Sequence, residues 1–171
     1  MNTLTLDIET NGLNSKKNVI TCICAKASNG GEFRFSNKKE KEILLHFYNW
    51  ILSYSKEKYM LVAHNGIRFD IPFIIERSKQ NSLDNKILLF QKYKIYDTMN
   101  IISKWMKLDE LADLYSLPKK TGNGTHAIEL FNENKFDELM VYCWDDVVLT
   151  ERVFNTYQKL KEDNLFLFEK N

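Results

Sequence analysis

The spacing of apolar residues divides the chain into short alternating runs followed by longer helical ones. Thr3 to Ile8 alternates and predicts a strand. Asn11-Gly12 marks a turn, and Val19 to Ala25, rich in β-branched residues, predicts a second strand. Asn29-Gly30-Gly31 is another turn, followed by a short third strand over Glu32 to Phe35. Together these predict an antiparallel meander. Glu40 to Tyr54 then carries Ile43, Leu44, Phe47, Ile51 and Leu52 at helical spacing. Tyr59 to Ala63 is a compact apolar run suited to a buried strand. Ile71 to Lys79 predicts a helix, with Pro72 where a helix start tolerates it. Tyr93 to Tyr96 predicts a strand. Met99 to Met106 and Leu108 to Tyr115 predict helices, and Leu117 to Thr125, with Pro118, Gly122 and Gly124, a loop. Phe136 to Leu160 predicts one long helix with Leu139, Met140, Cys143, Val147 and Val153 on its apolar side. This order gives an α/β fold, a mixed sheet covered by helices.

Length and composition narrow the class. A chain of 171 residues suits one domain, residues 1–171, and 44% hydrophobic content suits a packed core. No repeat, linker or transmembrane-length apolar run interrupts it, and Met1 to Thr5 carries no signal-peptide pattern; the expected location is the cytoplasm, with no membrane partner. The net charge of +1 makes local clusters, or bound metal, responsible for any nucleic-acid affinity. Lys16–Lys17, Lys92 with Lys94, and Lys119–Lys120 are such clusters, or simply solvated faces. Three cysteines with no C-x-x-C pair argue against a disulfide framework or a zinc site; Cys22 and Cys24 read as small buried thiols in a strand. Trp50, Trp105 and Trp144 read as core or half-buried packing residues. The apolar tail Leu165 to Phe168 reads as packing back on the domain.

The candidate chemistry lies in carboxylates. Asp7 and Glu9 stand two apart at the end of the first strand, so both point to one face. Two carboxylates there repel unless a cation neutralises them, and oxygen ligands on a strand suit Mg²⁺ or Mn²⁺. A polar strand edge facing solvent reads equally well from this pair alone. Asp70 opens a helix after a buried strand, where an ordinary N-cap would also stand. Tyr142 and Asp146, four apart, share one helix face, as they also would on a simple amphipathic helix; Asp145 faces elsewhere. His64 has no second histidine at ligand spacing and reads as structural.

The order of these motifs is D-x-E on the first strand, N-x-x-x-F-D before a middle helix and Y-x-x-x-D in the last helix. With them the chain resembles the DEDD 3′→5′ exonucleases. AHNGIRFDIPFII, from Ala63 to Ile75, is similar to the second motif of family B DNA polymerase proofreading domains, and YCWDDVVLTERVF, from Tyr142, to the third. The resemblance is to the tyrosine subgroup, since the histidine subgroup places its histidine at the position of Val141. It spans Asp7 to about Phe154 and leaves no room for a polymerase domain, so the likeness is to a free-standing relative. Leu108-Asp109-Glu110-Leu111 with the following Pro-Lys-Lys and Gly-rich loop resembles free-standing members too.

The resemblance implies an RNase H-like fold and two divalent cations, Mg²⁺ or Mn²⁺, held by Asp7, Glu9, Asp70 and Asp146. It implies that Asp7 bridges them, that Glu9 and Asp146 hold the ion of the attacking water, and that Asp70 serves the second. Tyr142 would orient that water, since a phenol with an ordinary pKa near ~10 is a poor base at neutral pH. Asn65 and Phe69 are candidate substrate contacts: Phe69 would stack on the terminal base or join the core, and Asn65 would bond the strand backbone or cap its own loop. The implied partner is the 3′ end of a single strand, DNA before RNA, with nucleoside 5′-monophosphates released; a polymerase or other protein partner is left open. An RNA-directed or short-oligonucleotide exonuclease, and a non-catalytic nucleic-acid-binding module, are the competing readings.

Overall fold

The computed structural model describes residues 2–101, 105–118 and 124–163. Its five-stranded sheet has the order β3-β2-β1-β4-β5. The strands are β1 (Asn2–Thr10), β2 (Ile20–Ala27), β3 (Glu32–Ser36), β4 (Tyr59–Ala63) and β5 (Ile95–Asp97). β1, β2 and β3 form the expected antiparallel meander, whereas β4 joins β1, and β5 joins β4, in parallel. Six helices lie among the described residues: α1 (Glu40–Ile51), α2 (Asp70–Gln80), α3 (Asp84–Phe90), α4 (Leu108–Leu114), α5 (Gly124–Asn132) and α6 (Phe136–Glu162). The mixed α/β class holds, and no helix among the described residues is long and apolar enough to cross a membrane.

Strand alternation sends side chains to two separate cores. Leu4, Leu6 and Ile8 of β1 and Ile23 and Ala25 of β2 pack with Ile43, Leu44 and Phe47 of α1 and with Ile74 of α2. The opposite face of β2 presents Cys22 and Cys24 to Ala127 and Leu130 of α5 and to Leu139, Cys143 and Val147 of α6. Asp7 and Glu9 belong to that second face, since Asp7 pairs with Cys24 and Glu9 with Cys22. One irregularity interrupts the pattern. The register shifts after Glu9, where Thr10 pairs with Ile20 and Thr21 is left over. An extra residue of this kind reverses alternation. It explains why Ile20 joins the α1 core although Cys22, two residues on, faces α6.

Several expected boundaries need correction. The helix expected over Met99 to Met106 is not seen in the described part of that range: a 3₁₀ turn spans Thr98–Asn100, capped by Asp97, whose side chain accepts the Met99 N–H, and residues 105–107 are not helical. Residues 102–104 lie outside the described set, and Trp105 beyond them is 58% exposed rather than packed. Residues 105–107 belong to no helix or strand, so helical spacing does not turn this aromatic inward. Trp50 and Trp144 are half-buried as expected. α3 and α5 were not anticipated. α3 buries only Ile87 and Phe90, too few anchors for a period to show. α5 begins inside the expected loop, at Gly124, and buries Ala127, Leu130 and Phe131. Lys119–Lys120 and the tail Leu165 to Phe168 lie outside the described residues.

A buried ion pair ties the first core together. Glu40 at the start of α1 accepts from Arg77 of α2 at 2.8 Å through Nε and again at 2.8 Å through Nη2. It also accepts the Ile20 backbone N–H at 2.7 Å and Asn81 Nδ2 at 2.9 Å. Both charged side chains are nearly enclosed, at 10% and 8% exposure. Removing one partner of such a pair strands the other charge and costs ~3–5 kcal/mol. Arg77→Met should therefore lower the urea midpoint strongly, and a midpoint within error of the parent would show that the pair contributes little.

Candidate functional site

β4 lies beside β1 only from Asn2 to Thr5. Beyond Thr5 that edge of β1 has no strand partner among the described residues, and the Ile8 N–H points to that side. The Asp70 carboxylate lies there, accepting the Ile8 N–H through Oδ1 at 3.2 Å. A side chain thus continues a ladder that the backbone has left, between the two residues Asp7 and Glu9.

The loop before α2 is shaped to place Asp70 there. Asn65 adopts a left-handed φ of 60°, and its carbonyl accepts the N–H groups of Arg68 and Phe69. Asp97, at the end of β5, holds this turn from below: Oδ1 accepts Asn65 N–H at 2.8 Å and Oδ2 accepts Ile67 N–H at 3.0 Å. Gly66 is confined to glycine because a Cβ would lie 2.3 Å from that of Ala63. Phe69 is half-buried, with its ring 5.4 Å from that of Phe73, so much of it serves the core. Asn65 acts through its backbone in shaping the loop. His64 is structural as expected, bonded to Thr98 Oγ1 at 2.9 Å and to the Met106 carbonyl at 3.1 Å.

α6 crosses over the face that carries Asp7 and Glu9. Tyr142 and Asp146 are both buried on it, one turn apart, and Asp145 is half-buried on another side of the helix. Among the described residues, donor atoms of Asp7, Glu9 and Cys143 converge within 4.8 Å of one another. Asp70 and Asp146 lie outside that group. They nevertheless feel each other. Burial pushes the Asp70 carboxyl up to about 7, and the negative charges of Asp97 and Asp146 push the same way against hydrogen bonds that lower it. A donor set made of carboxylate oxygens fits a hard divalent cation.

The spacing of motifs along the chain missed three features. Asp97 is one, a buried carboxylate whose only sequence signal is its place at a strand end. Another is the packing of Cys143 against Asp7, with Sγ 3.6 Å from Oδ2. The third is a cavity of about 370 Å³ beside Tyr142, lined by His126, Leu130, Asp137, Glu138, Val141 and Asp145. His126, on the unanticipated α5, stands edge-on to the Tyr142 ring at 6.1 Å.

A family model of the RNase H superfamily matches residues 4–158, a span that includes Asp7, Glu9, Asp70, Tyr142 and Asp146. The chain belongs to the RNase H superfamily. No curated protein matches it significantly. Among solved structures, the family B DNA polymerase from the hyperthermophilic archaeon Pyrobaculum calidifontis superposes on 94% of this RNase H superfamily chain, with a TM-score of 0.76 and 19% identity. The chain spans 24% of that polymerase, and identity this low establishes likeness of fold.

The raised Asp70 carboxyl makes stability depend on pH when metal is absent. The folded protein keeps this proton up to about pH 7, whereas the unfolded chain releases it near the ordinary value of 3.8. The stabilisation is therefore complete below about pH 4 and lost as pH rises through 7. In EDTA, Asp70→Asn should gain stability relative to the parent by ~1 kcal/mol per unit between about pH 5 and 7. Thermal melts of the two proteins across that range would check this, and parallel curves would refute it.

Proposed function

We propose that this chain is a metal-dependent 3′→5′ exonuclease of the tyrosine subgroup of DEDD enzymes, acting as one domain on the 3′ end of single-stranded nucleic acid. The observation that carries the reading is the end of β1. Asp7 and Glu9 project there under α6, which bears Tyr142 and Asp146, and Asp70 is hooked to the Ile8 N–H between them. Superfamily membership and the likeness to a polymerase fold support the same reading, since RNase H-like proteins are generally nucleases.

Asp7, Glu9, Asp70 and Asp146 would hold two Mg²⁺ or Mn²⁺ ions. Bound there, the ions would neutralise phosphate charge and lower the pKa of a bound water. The protein's own contribution is orientation. The Tyr142 hydroxyl, one helical turn before Asp146, aligns the attacking water. Asp97 and Gly66 hold the turn that aims Asp70. Phe69 offers its exposed part to the terminal base, and the loop that Asn65 shapes lies alongside. Single-stranded DNA is the favoured substrate, and nucleoside 5′-monophosphates are the products.

A second reading, that the chain clears very short oligonucleotides, is favoured by the wall beside Tyr142. Asp137, Glu138 and Asp145 line it, and a phosphodiester backbone would be repelled along that side. RNA as substrate would use the same carboxylates.

Asp7→Ala and Asp146→Ala should each remove hydrolysis while the far-ultraviolet dichroism stays native. Tyr142→Phe should slow it by ~10–100-fold, as misplacing a nucleophile does. The assay is a digest of 5′-labelled DNA and matched RNA, from dinucleotides upward, with Mg²⁺ or Mn²⁺. A ladder shortening from the 3′ end supports the proposal. Full activity in Asp7→Ala would sink the metal assignment, and faster cleavage of dinucleotides than of long strands would favour the second reading.

A further inference from the structure

Beside the carboxylates stands a second set of donors. The Sγ atoms of Cys22, Cys24 and Cys143 all lie within 4.8 Å of one another. All three are free thiols with no solvent exposure. Cys22 and Cys24 project from the same face of β2 with their sulfurs 3.8 Å apart. A tetrahedral ion with bonds of ~2.3 Å to sulfur spaces its sulfurs by ~3.8 Å. Cys143 descends from α6 to complete the triangle, although nothing in the spacing along the chain marks it as a partner.

A carboxylate adjoins this triangle at Cys143, which belongs both to the thiol group and to the group of Asp7 and Glu9. Cys143 Sγ is 3.6 Å from Asp7 Oδ2, and Asp7 pairs with Cys24 across the ladder. The remaining neighbours of the thiols in this core are mostly apolar, including Ala127, Leu130, Leu139 and Val147. Asp7 is only half-buried, so an ion that reaches the carboxylates meets Cys143 next. Thiolates select soft or borderline ions, and Mg²⁺ and Mn²⁺ prefer the oxygens next door.

We propose that Cys22, Cys24 and Cys143 form a second metal site that takes a thiophilic cation such as Zn²⁺ or Cd²⁺, and that the ion recruits the neighbouring Asp7 carboxylate through its contact with Cys143. Filling it draws Asp7 away from the hard-ion set, so that the thiophilic ion inhibits hydrolysis. This consequence rests on the proposed nuclease function, whereas the binding itself does not.

The test uses the whole chain, reduced and free of metal. Cd²⁺ is added while the ultraviolet charge-transfer band of cadmium–thiolate bonds is followed. The band should saturate at one ion per chain with the intensity of three thiolates, and excess Mg²⁺ should not remove it. Cys22→Ser and Cys143→Ser should each weaken Cd²⁺ binding at least tenfold. If either variant fails to fold, the cadmium NMR shift of the parent protein, expected in the range of three sulfur ligands, decides instead. No band at stoichiometric Cd²⁺, or an undiminished band in a folded Cys143→Ser protein, overturns the site. Cleavage by the parent should fall with one equivalent of Cd²⁺ and that by Cys22→Ser should not. Three-thiolate binding without inhibition refutes the coupling through Asp7. Three-thiolate binding by a protein that cleaves nothing even before Cd²⁺ is added refutes the nuclease function and leaves the site standing.

Discussion

Negative charge concentrated at the end of β1 is the constraint around which this structure is arranged. Asp7 and Glu9 share one face, Asp70 is enclosed beside them, and Asp146 is buried above. Enclosing carboxylates together is unfavourable unless something compensates them. The protein supplies part of that compensation through the Ile8 N–H, which Asp70 can reach only because β4 stops pairing at Thr5. Burial still raises the Asp70 carboxyl to about 7. A divalent cation beside it would favour the charged form and bring that carboxyl back down.

That arrangement needs rigid supports on both sides. Below, the Glu40–Arg77 pair fastens α1 and α2 to the first residue of β2. At the side, Asp97 uses both oxygens to hold the turn that leads into Asp70. Above, Lys26 of β2 pairs with Glu151 of α6 at 2.5 Å, and α4 packs Leu111 and Ala112 against Leu149 and Val153 of the same helix. α6 is thus fixed along its length, which sets the height of Tyr142 and Asp146 over the sheet.

Much of this was legible in the chain. The five strands and α1, α2, α4 and α6 were read within a few residues, because each buries a face and so carries a period. That Asp7 and Glu9 share one strand face, and that Tyr142 and Asp146 share one buried helix face, followed from the strand and helix periods. What was not legible depends on contacts between distant segments. α3 and α5 are held by two or three anchors each, and Trp105 is exposed at the start of residues 105–107, which are not helical. The role of Asp97 depends on the parallel pairing of β4 and β5, which no local pattern specifies. The leftover Thr21, which sends Ile20 to the opposite core, belongs to the register of two strands and not to either sequence.

The same register explains why thiols and carboxylates are neighbours. Antiparallel pairing places Cys24 opposite Asp7 and Cys22 opposite Glu9, so a helix lying over one pair must also cover the other. Thiols are small and behave as weakly polar hydrophobes. They let α6 come close to β2, as the 3.5 Å approach of Cys24 Sγ to the Met140 carbonyl illustrates. Bulkier side chains at positions 22 and 24 would lift the helix and carry Tyr142 and Asp146 away from β1. The close packing that lowers two candidate catalytic residues onto the strand therefore also brings Cys143 against two other sulfurs. Hard and soft donors end side by side for one geometric reason, with Asp7 at the boundary between them.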